Sequence, residues 1–253
     1  MGRLENKVGI ISGAARGQGR ATAIRFAEEG AKIGVTDLDA EGLAETVKLV
    51  EDAGGEVVSH VGDITDPGCI DALATATVDA FGALHILHNN AGTMLGAALD
   101  EYTAEDFNRL MNVNCLSQLI AIQRCVPEMQ KAGTGSIINV SSIGGIAAFA
   151  QMSVYCASKA AVLGLSRAVA LEVAPDIRCN AICPGAVDTP MARKLLEAFD
   201  DKEAAWESFT ARQLQRRHAD PREIAEVVVF LASDESSFIT GATMPVEAGW
   251  MSW

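Results

Sequence analysis

The feature that most constrains this chain is a repeated alternation of short apolar runs with longer stretches of helical spacing. Segments 8–12, 31–36, 57–62, 84–88, 136–140, 177–183 and 243–246 read as buried strands. Between them lie helix patterns. Ala21, Ile24 and Ala27 share one face before Gly30, and Leu43, Val47 and Val50 form a stripe that stops at Gly54 and Gly55. Ile70, Leu73 and Val78 mark a third helix closed by Gly82. Segments 107–129 and 153–173 read as long helices, and Asp220 with Pro221 caps another over 222–232. Strands alternating with helices of this length imply right-handed βαβ units, hence a parallel sheet covered on both faces. With no repeat, linker or low-complexity tract, the 253 residues read as one doubly wound α/β domain.

Charge narrows the function. Twenty Lys and Arg stand against 33 Asp and Glu, a formal charge of −13. That sign is wrong for neutralising nucleic-acid phosphates, so an anionic ligand must be held by local geometry such as backbone amides. The start of the chain has no signal-peptide layout, and no apolar run reaches the roughly 18 residues of a membrane helix. The six scattered cysteines form no C-x-x-C pair and read as reduced thiols, which points to the cytoplasm. The four histidines fall in no metal-ligand spacing, and no metal is expected.

Such an amide site is suggested between the first strand and first helix, where Ser12, Gly13, Ala14, Ala15, Arg16, Gly17, Gln18 and Gly19 form a glycine-rich turn. Glycines there let a pyrophosphate approach amides at a helix N-terminus. The spacing G-x-x-x-G-x-G departs from the usual dinucleotide fingerprint, and a bare turn would look the same. Asp37 closes the second strand, where a carboxylate can bond ribose hydroxyls and repel a 2′-phosphate. Arg16 could instead receive that phosphate, but Asp37 would oppose it at close range, which favours NAD. Asp63 and the pair Asn90 and Ala91 follow the third and fourth strands at the same sheet edge. Tyr155 and Lys159, four residues apart, share a helix face. A cation beside a phenol lowers its pKa, so Tyr155 could act as a general base. Ser141 and Ser142 follow the fifth strand at that edge, and Asn114 is a polar residue inside an apolar helix.

Taken in order, Ser12 to Gly19, Asn89 to Gly92, Ser142, Tyr155 with Lys159, and Pro184 with Gly185 resemble the short-chain dehydrogenase/reductase family over residues 4–249. The resemblance implies a seven-stranded Rossmann-type sheet and a homotetramer. It implies a pyrophosphate loop of Gly13, Ala15, Arg16, Gly17 and Gln18, and Asp37 with Leu38 at the adenosine ribose. Asp63 and Ile64 would lie near adenine, Asn90 and Ala91 along the cofactor, and Pro184, Gly185, Val187 and Thr189 near the nicotinamide. Asn114, Ser142, Tyr155 and Lys159 match the catalytic tetrad. Two departures, Ser12 for Thr and Gln18 for Ile or Leu, touch no group that handles the proton.

Substrate choice is expected from Met94, Ile143, Phe149, Met152 and a lid at about 189–215 that contains Leu195, Leu196, Phe199 and Trp206. Their apolar character suggests a hydrophobic or cyclic secondary alcohol or ketone as the small-molecule substrate. Trp250 and Trp253 near the end of the chain suggest docking onto another subunit. The reading is thus an NAD-dependent secondary alcohol dehydrogenase with neither nucleic acid nor membrane as partner. Two alternatives stand beside it: an NADP-linked 3-oxoacyl carrier-protein reductase, and an NAD-sensing protein without turnover.

Overall fold

The computed structural model describes residues 2–252. Seven strands form one parallel sheet: β1 (Val8–Ser12), β2 (Lys32–Asp37), β3 (Val57–Val61), β4 (Ile86–Asn89), β5 (Gly135–Val140), β6 (Ile177–Pro184) and β7 (Thr243–Val246). Their order is β3-β2-β1-β4-β5-β6-β7, so the topology reverses between β1 and β4, where open α/β sheets bind ligands. The helices are α1 (Gly17–Glu28), α2 (Ala40–Asp52), α3 (Pro67–Phe81), α4 (Ala104–Met111), α5 (Ser117–Ala132), α6 (Ser153–Val173), α7 (Pro190–Leu195), α8 (Lys202–Ser208) and α9 (Pro221–Ala232).

Two apolar cores follow from the pleat, which sends neighbouring residues to opposite faces. Ile11 and Ile138 pack into one core, with Phe26, Leu43 and Val228 from α1, α2 and α9. Ile10 and Ile137 pack into the other, with Leu73, Cys125 and Val169 from α3, α5 and α6. A strand buried on both sides has to be apolar at successive positions, which is why these runs stand out in the sequence.

Strand edges fall within one or two residues of the sequence expectation. The long helix expected over 107–129 is different. It is two helices, α4 and α5, joined by a π-helical turn at Asn112–Leu116. One widened turn barely alters the apolar spacing, so the sequence does not betray it. Its consequence is local: it carries Asn114, which is completely buried. By length and mean hydropathy (1.3), α6 could cross a membrane, although the sequence offers no unbroken apolar run. Its apolar face instead packs beside β6. It also carries two ionisable side chains toward the sheet edge.

Candidate active site

The carboxyl ends of β1, β4, β5 and β6 border a cleft of about 290 Å³. At one end lies the glycine turn. Gly13 adopts φ +68°, and a Cβ there would stand 2.8 Å from the Ala91 Cα, so only glycine lets the turn lie against the β4 loop. Ser12 Oγ accepts from the amides of Asn90 (3.2 Å) and Ala91 (3.1 Å), and Asn90 Nδ2 donates to Gly13 O at 2.9 Å. The Ser12 departure therefore keeps its hydroxyl in use. Gln18 leaves its buried Oε1 without a partner at the cleft wall.

Asp37 borders the same end. Its carboxylate accepts from the amides of Ala15 (2.9 Å) and Asp39 (3.0 Å), which fixes its orientation against the loop. Arg16 lines the cleft too, with its guanidinium paired to Asp39.

At the other end three elements converge. Lys159, on α6, donates from Nζ to Val140 O at 3.0 Å and lies 6.0 Å from the Tyr155 ring centroid. Ser142 Oγ accepts from the Gly144 amide at 3.0 Å and hydrogen-bonds the Tyr155 phenol. Asn114 Oδ1 accepts from Thr93 N at 2.7 Å, while Nδ2 donates to Thr93 O and Ser158 Oγ, both at 2.9 Å. Ser158 in turn donates to Tyr155 O at 2.7 Å, so the π-turn braces the backbone that presents the phenol. A Cβ on Gly92 would stand 3.3 Å from both Asn114 Oδ1 and Lys159 Nζ, so glycine keeps this floor clear.

Electrostatics correct one expectation. Burial pushes the Tyr155 phenol up to about 12, with the Ser142 hydrogen bond pulling the other way. Burial also brings Lys159 down to about 8. The ammonium points at the Val140 carbonyl from beneath the ring, so in this state desolvation outweighs its pull on the phenol. At neutral pH the site holds a neutral phenol beside a cation.

Of the residues picked out in the sequence, Gly13, Arg16, Gly17, Gln18, Asp37, Asn90, Ala91, Ser142, Tyr155, Lys159, Pro184, Gly185 and Thr189 share this cleft. The others do not line it. Ala15 is buried, with its amide on Asp37. Leu38 is exposed on the outer surface, and Ile64 packs into the core around α3. Asp63 lies two residues beyond β3, where its carboxylate accepts from Thr65 N and Oγ1, both at 2.8 Å. Val187 is buried in a bridge with Ala219, and Asn114 works from behind through Thr93.

Two expectations about aromatics also change. Trp206 stacks on His218 at 3.6 Å and takes Arg193 over its ring at 4.9 Å, and it does not line the cleft. Trp250 is buried against Phe149 (5.7 Å) and Arg212 (4.1 Å), which leaves it unavailable for docking, and Trp253 lies outside the described residues. Gln213 was missed in the sequence. Fully buried, it accepts from Ala186 N at 2.8 Å and donates to Arg217 O at 2.6 Å, pinning the loop after β6. A glutamine in a polar stretch carries no signal for such a role. Among the described residues no group of His, Cys, Asp and Glu is arranged to hold a metal.

A doubly wound sheet with a glycine turn at its switch point, and a Ser, Tyr and Lys set beside it, defines the class of dinucleotide-binding oxidoreductases. The profile of a family described as "Enoyl-(Acyl carrier protein) reductase" matches residues 13–251. The chain is 39% identical over 252 residues to "Dehydrogenase/reductase SDR family member 6" of Danio rerio, covering 99% of both chains. It is 40% identical over 248 residues to "3-oxoacyl-[acyl-carrier-protein] reductase FabG" of Thermotoga maritima, covering 98% of both. Levodione reductase superposes with a TM-score of 0.95 at 33% identity, covering 99% of this chain and 100% of that one. Carveol dehydrogenase from Mycobacterium avium in complex with NAD gives 0.94 at 32%, and a variant of actinorhodin polyketide ketoreductase with NADPH gives 0.93 at 31%, each covering 100% of both chains. The chain belongs to the short-chain dehydrogenase/reductase family and is an oxidoreductase acting on CH–OH groups.

Proposed function

We propose that the protein is an NAD-dependent secondary alcohol dehydrogenase, acting reversibly on a hydrophobic or cyclic alcohol or ketone. The observation that carries this reading is the convergence of Asp37, Ser142, Tyr155 and Lys159 on one cleft. The cleft fits a dinucleotide, since one continuous lining runs from the glycine turn past Asp37 to Tyr155 and Lys159. When bound, the nicotinamide supplies or accepts the hydride. Tyr155 gives its phenol proton to a ketone oxygen, or takes the proton of an alcohol. Ser142 Oγ, oriented by the Gly144 amide, hydrogen-bonds that same oxygen. Lys159 favours the phenolate as it forms, and Asn114 positions Tyr155 through Ser158.

Apolar side chains near this end favour a hydrophobic substrate. Met191 lines the cleft, and a Cβ on Gly144 would touch Phe149 at 3.1 Å and Tyr155 at 3.2 Å. We take residues 189–215 as a lid over it, the six free cysteines as favouring the cytoplasm, and a homotetramer as the assembly. The rival reading is an NADP-linked ketoreductase, favoured by Arg16 at the cleft. The deciding experiment follows reduced-cofactor absorbance with NAD or NADP and aliphatic, aryl, alicyclic and steroidal secondary alcohols. Turnover with NAD and little with NADP is expected. Turnover confined to NADP would reverse the cofactor assignment, and tight NAD binding without turnover would point to a sensor.

A further inference from the structure

The turn after β2 carries two acids, and both face the glycine loop. Asp37 is held by two amides, one of them that of Asp39 itself. Asp39 caps α2, its Oδ1 accepting from Gly42 N at 3.2 Å, while its Oδ2 pairs with the Arg16 guanidinium. A Cβ on Gly42 would stand 2.5 Å from that Oδ2 and 3.0 Å from the Ala15 Cβ. Glycine at 42 is thus what lets the carboxylate lie between the helix start and the loop. Arg20 is engaged elsewhere, with Nε on Thr46 Oγ1 (3.0 Å) and Nη2 on Gly42 O (3.1 Å) and Glu45 (2.7 Å). Among the described residues that line the cleft the other cation is Lys159, turned to Val140 O at the far end. Arg16 is therefore the cation placed to meet a phosphate beside Asp37, and it is already paired.

We infer that Asp39 is a second selectivity residue, which sequesters Arg16 from a 2′-phosphate while Asp37 repels that phosphate directly. The inference rests on the reading of Asp37 as the NAD-selecting acid. An arginine can grip a phosphate through two parallel hydrogen bonds, so its release adds a favourable contact as well as removing a competitor. With Asp37 in place the phosphate is still repelled, and the freed arginine counts for little. The two acids therefore act non-additively.

The test is calorimetric titration of the full chain with 5′-AMP and with 2′,5′-ADP, which differ only by the 2′-phosphate and need no turnover. Asp37→Asn, Asp39→Asn and the double variant are compared at one ionic strength. Asparagine caps a helix about as well as aspartate, so α2 should persist, and thermal melts verify it. The wild type should favour 5′-AMP by at least about tenfold, because a like charge meets the 2′-phosphate. Asp39→Asn should narrow that ratio by about threefold, the scale of an exposed ion pair. The double variant should shift it by more than the product of the single shifts. Arg16→Ala on the double variant should reverse most of that gain. A wild-type preference for 2′,5′-ADP overturns the NAD reading itself. A preference for 5′-AMP that Asp39→Asn leaves unmoved, alone and beside Asp37→Asn, overturns the role of Asp39 and leaves the NAD reading standing.

Discussion

The floor of the cleft and the proposed lid at 189–215 are built by different contacts. Beneath, Asn114, Ser158, Tyr155, Ser142 and Lys159 are joined by hydrogen bonds that cross from the π-turn to α6 and β5. In the proposed lid, Phe199 and Trp206 each meet Phe209 edge-on, and Trp206 stacks on His218. The proposed lid also meets the rest of the domain, with Arg212 over the Trp250 ring at 4.1 Å and Leu214 N donating to Ala248 O at 2.7 Å. Thr189 would touch a Cβ on Gly17 at 3.3 Å, and Gln213 bonds the loop after β6. A hydrogen-bonded floor beside a lid of the proposed kind would suit a division in which proton transfer is positioned once and substrate fit varies separately.

Tyr155→Phe tests the floor most severely. It removes the proton carrier and keeps the ring, so turnover should fall by about a thousandfold or more while NAD binding changes little. Equal losses in turnover and binding would mean that Tyr155 builds the cleft and does not carry the proton. The pH profile is the next largest effect. A phenol raised to about 12 is neutral at pH 7, so it is already a proton donor for ketone reduction. Oxidation needs the phenolate, whose fraction grows about tenfold per pH unit below that value. Oxidation should therefore rise from neutral toward alkaline pH, while reduction stays level until Lys159 begins to lose its proton near 8. Steady-state kcat/KM in both directions checks this, and a flat oxidation profile would show that another group takes the proton.

Asn114→Ala sharpens the contrast in stability. Thr93 N, Thr93 O and Ser158 Oγ would each lose a buried partner, at a cost of about 2–3 kcal/mol, or about 5–10 °C in melting temperature. Scanning calorimetry reads the shift. A melt like that of the wild type would mean that water replaces the amide and the floor is less rigid than its hydrogen bonds imply.

The sheet was legible because its strands are buried on both faces, so apolar runs and helix stripes alternate without ambiguity. Much of the site was legible for the same reason: strand ends mark the cleft edge, Asp37 and Ser142 stand at or beside them, and Tyr155 lies in the first turn of α6. What was hidden depends on contacts between distant segments. The π-turn changes no spacing rule, and the pairing of Arg16 with Asp39 joins residues 23 apart. The direction of the Tyr155 shift depends on how deeply the phenol packs, which a Y-x-x-x-K spacing cannot encode. Trp250 looked like a docking residue because a terminal aromatic is conspicuous in sequence, yet the fold buries it against Phe149.

The smallest expected effect falls on the join between the two regions. Gln213 is the buried link from the proposed lid to Ala186, and a Cβ on Gly185 would stand 2.9 Å from its Oε1. Leu214 beside it donates to Ala248 O at 2.7 Å, so the same join also reaches the end of the chain. Gln213→Ala would leave the Ala186 amide and the Arg217 carbonyl unpaired, costing about 1–2 kcal/mol. Because the loop after β6 borders the cleft, the loss should appear as KM for the cofactor rising about three- to tenfold, with kcat changing less. Gln213→Glu separates position from packing, since the acid keeps the acceptor for Ala186 N and loses the donor to Arg217 O. If the link works through the loop, Gln213→Glu keeps a cofactor KM near the wild-type value while Gln213→Ala does not. If both variants lower the melting temperature and neither moves that KM, Gln213 only fills space and does not hold the loop that borders the cofactor.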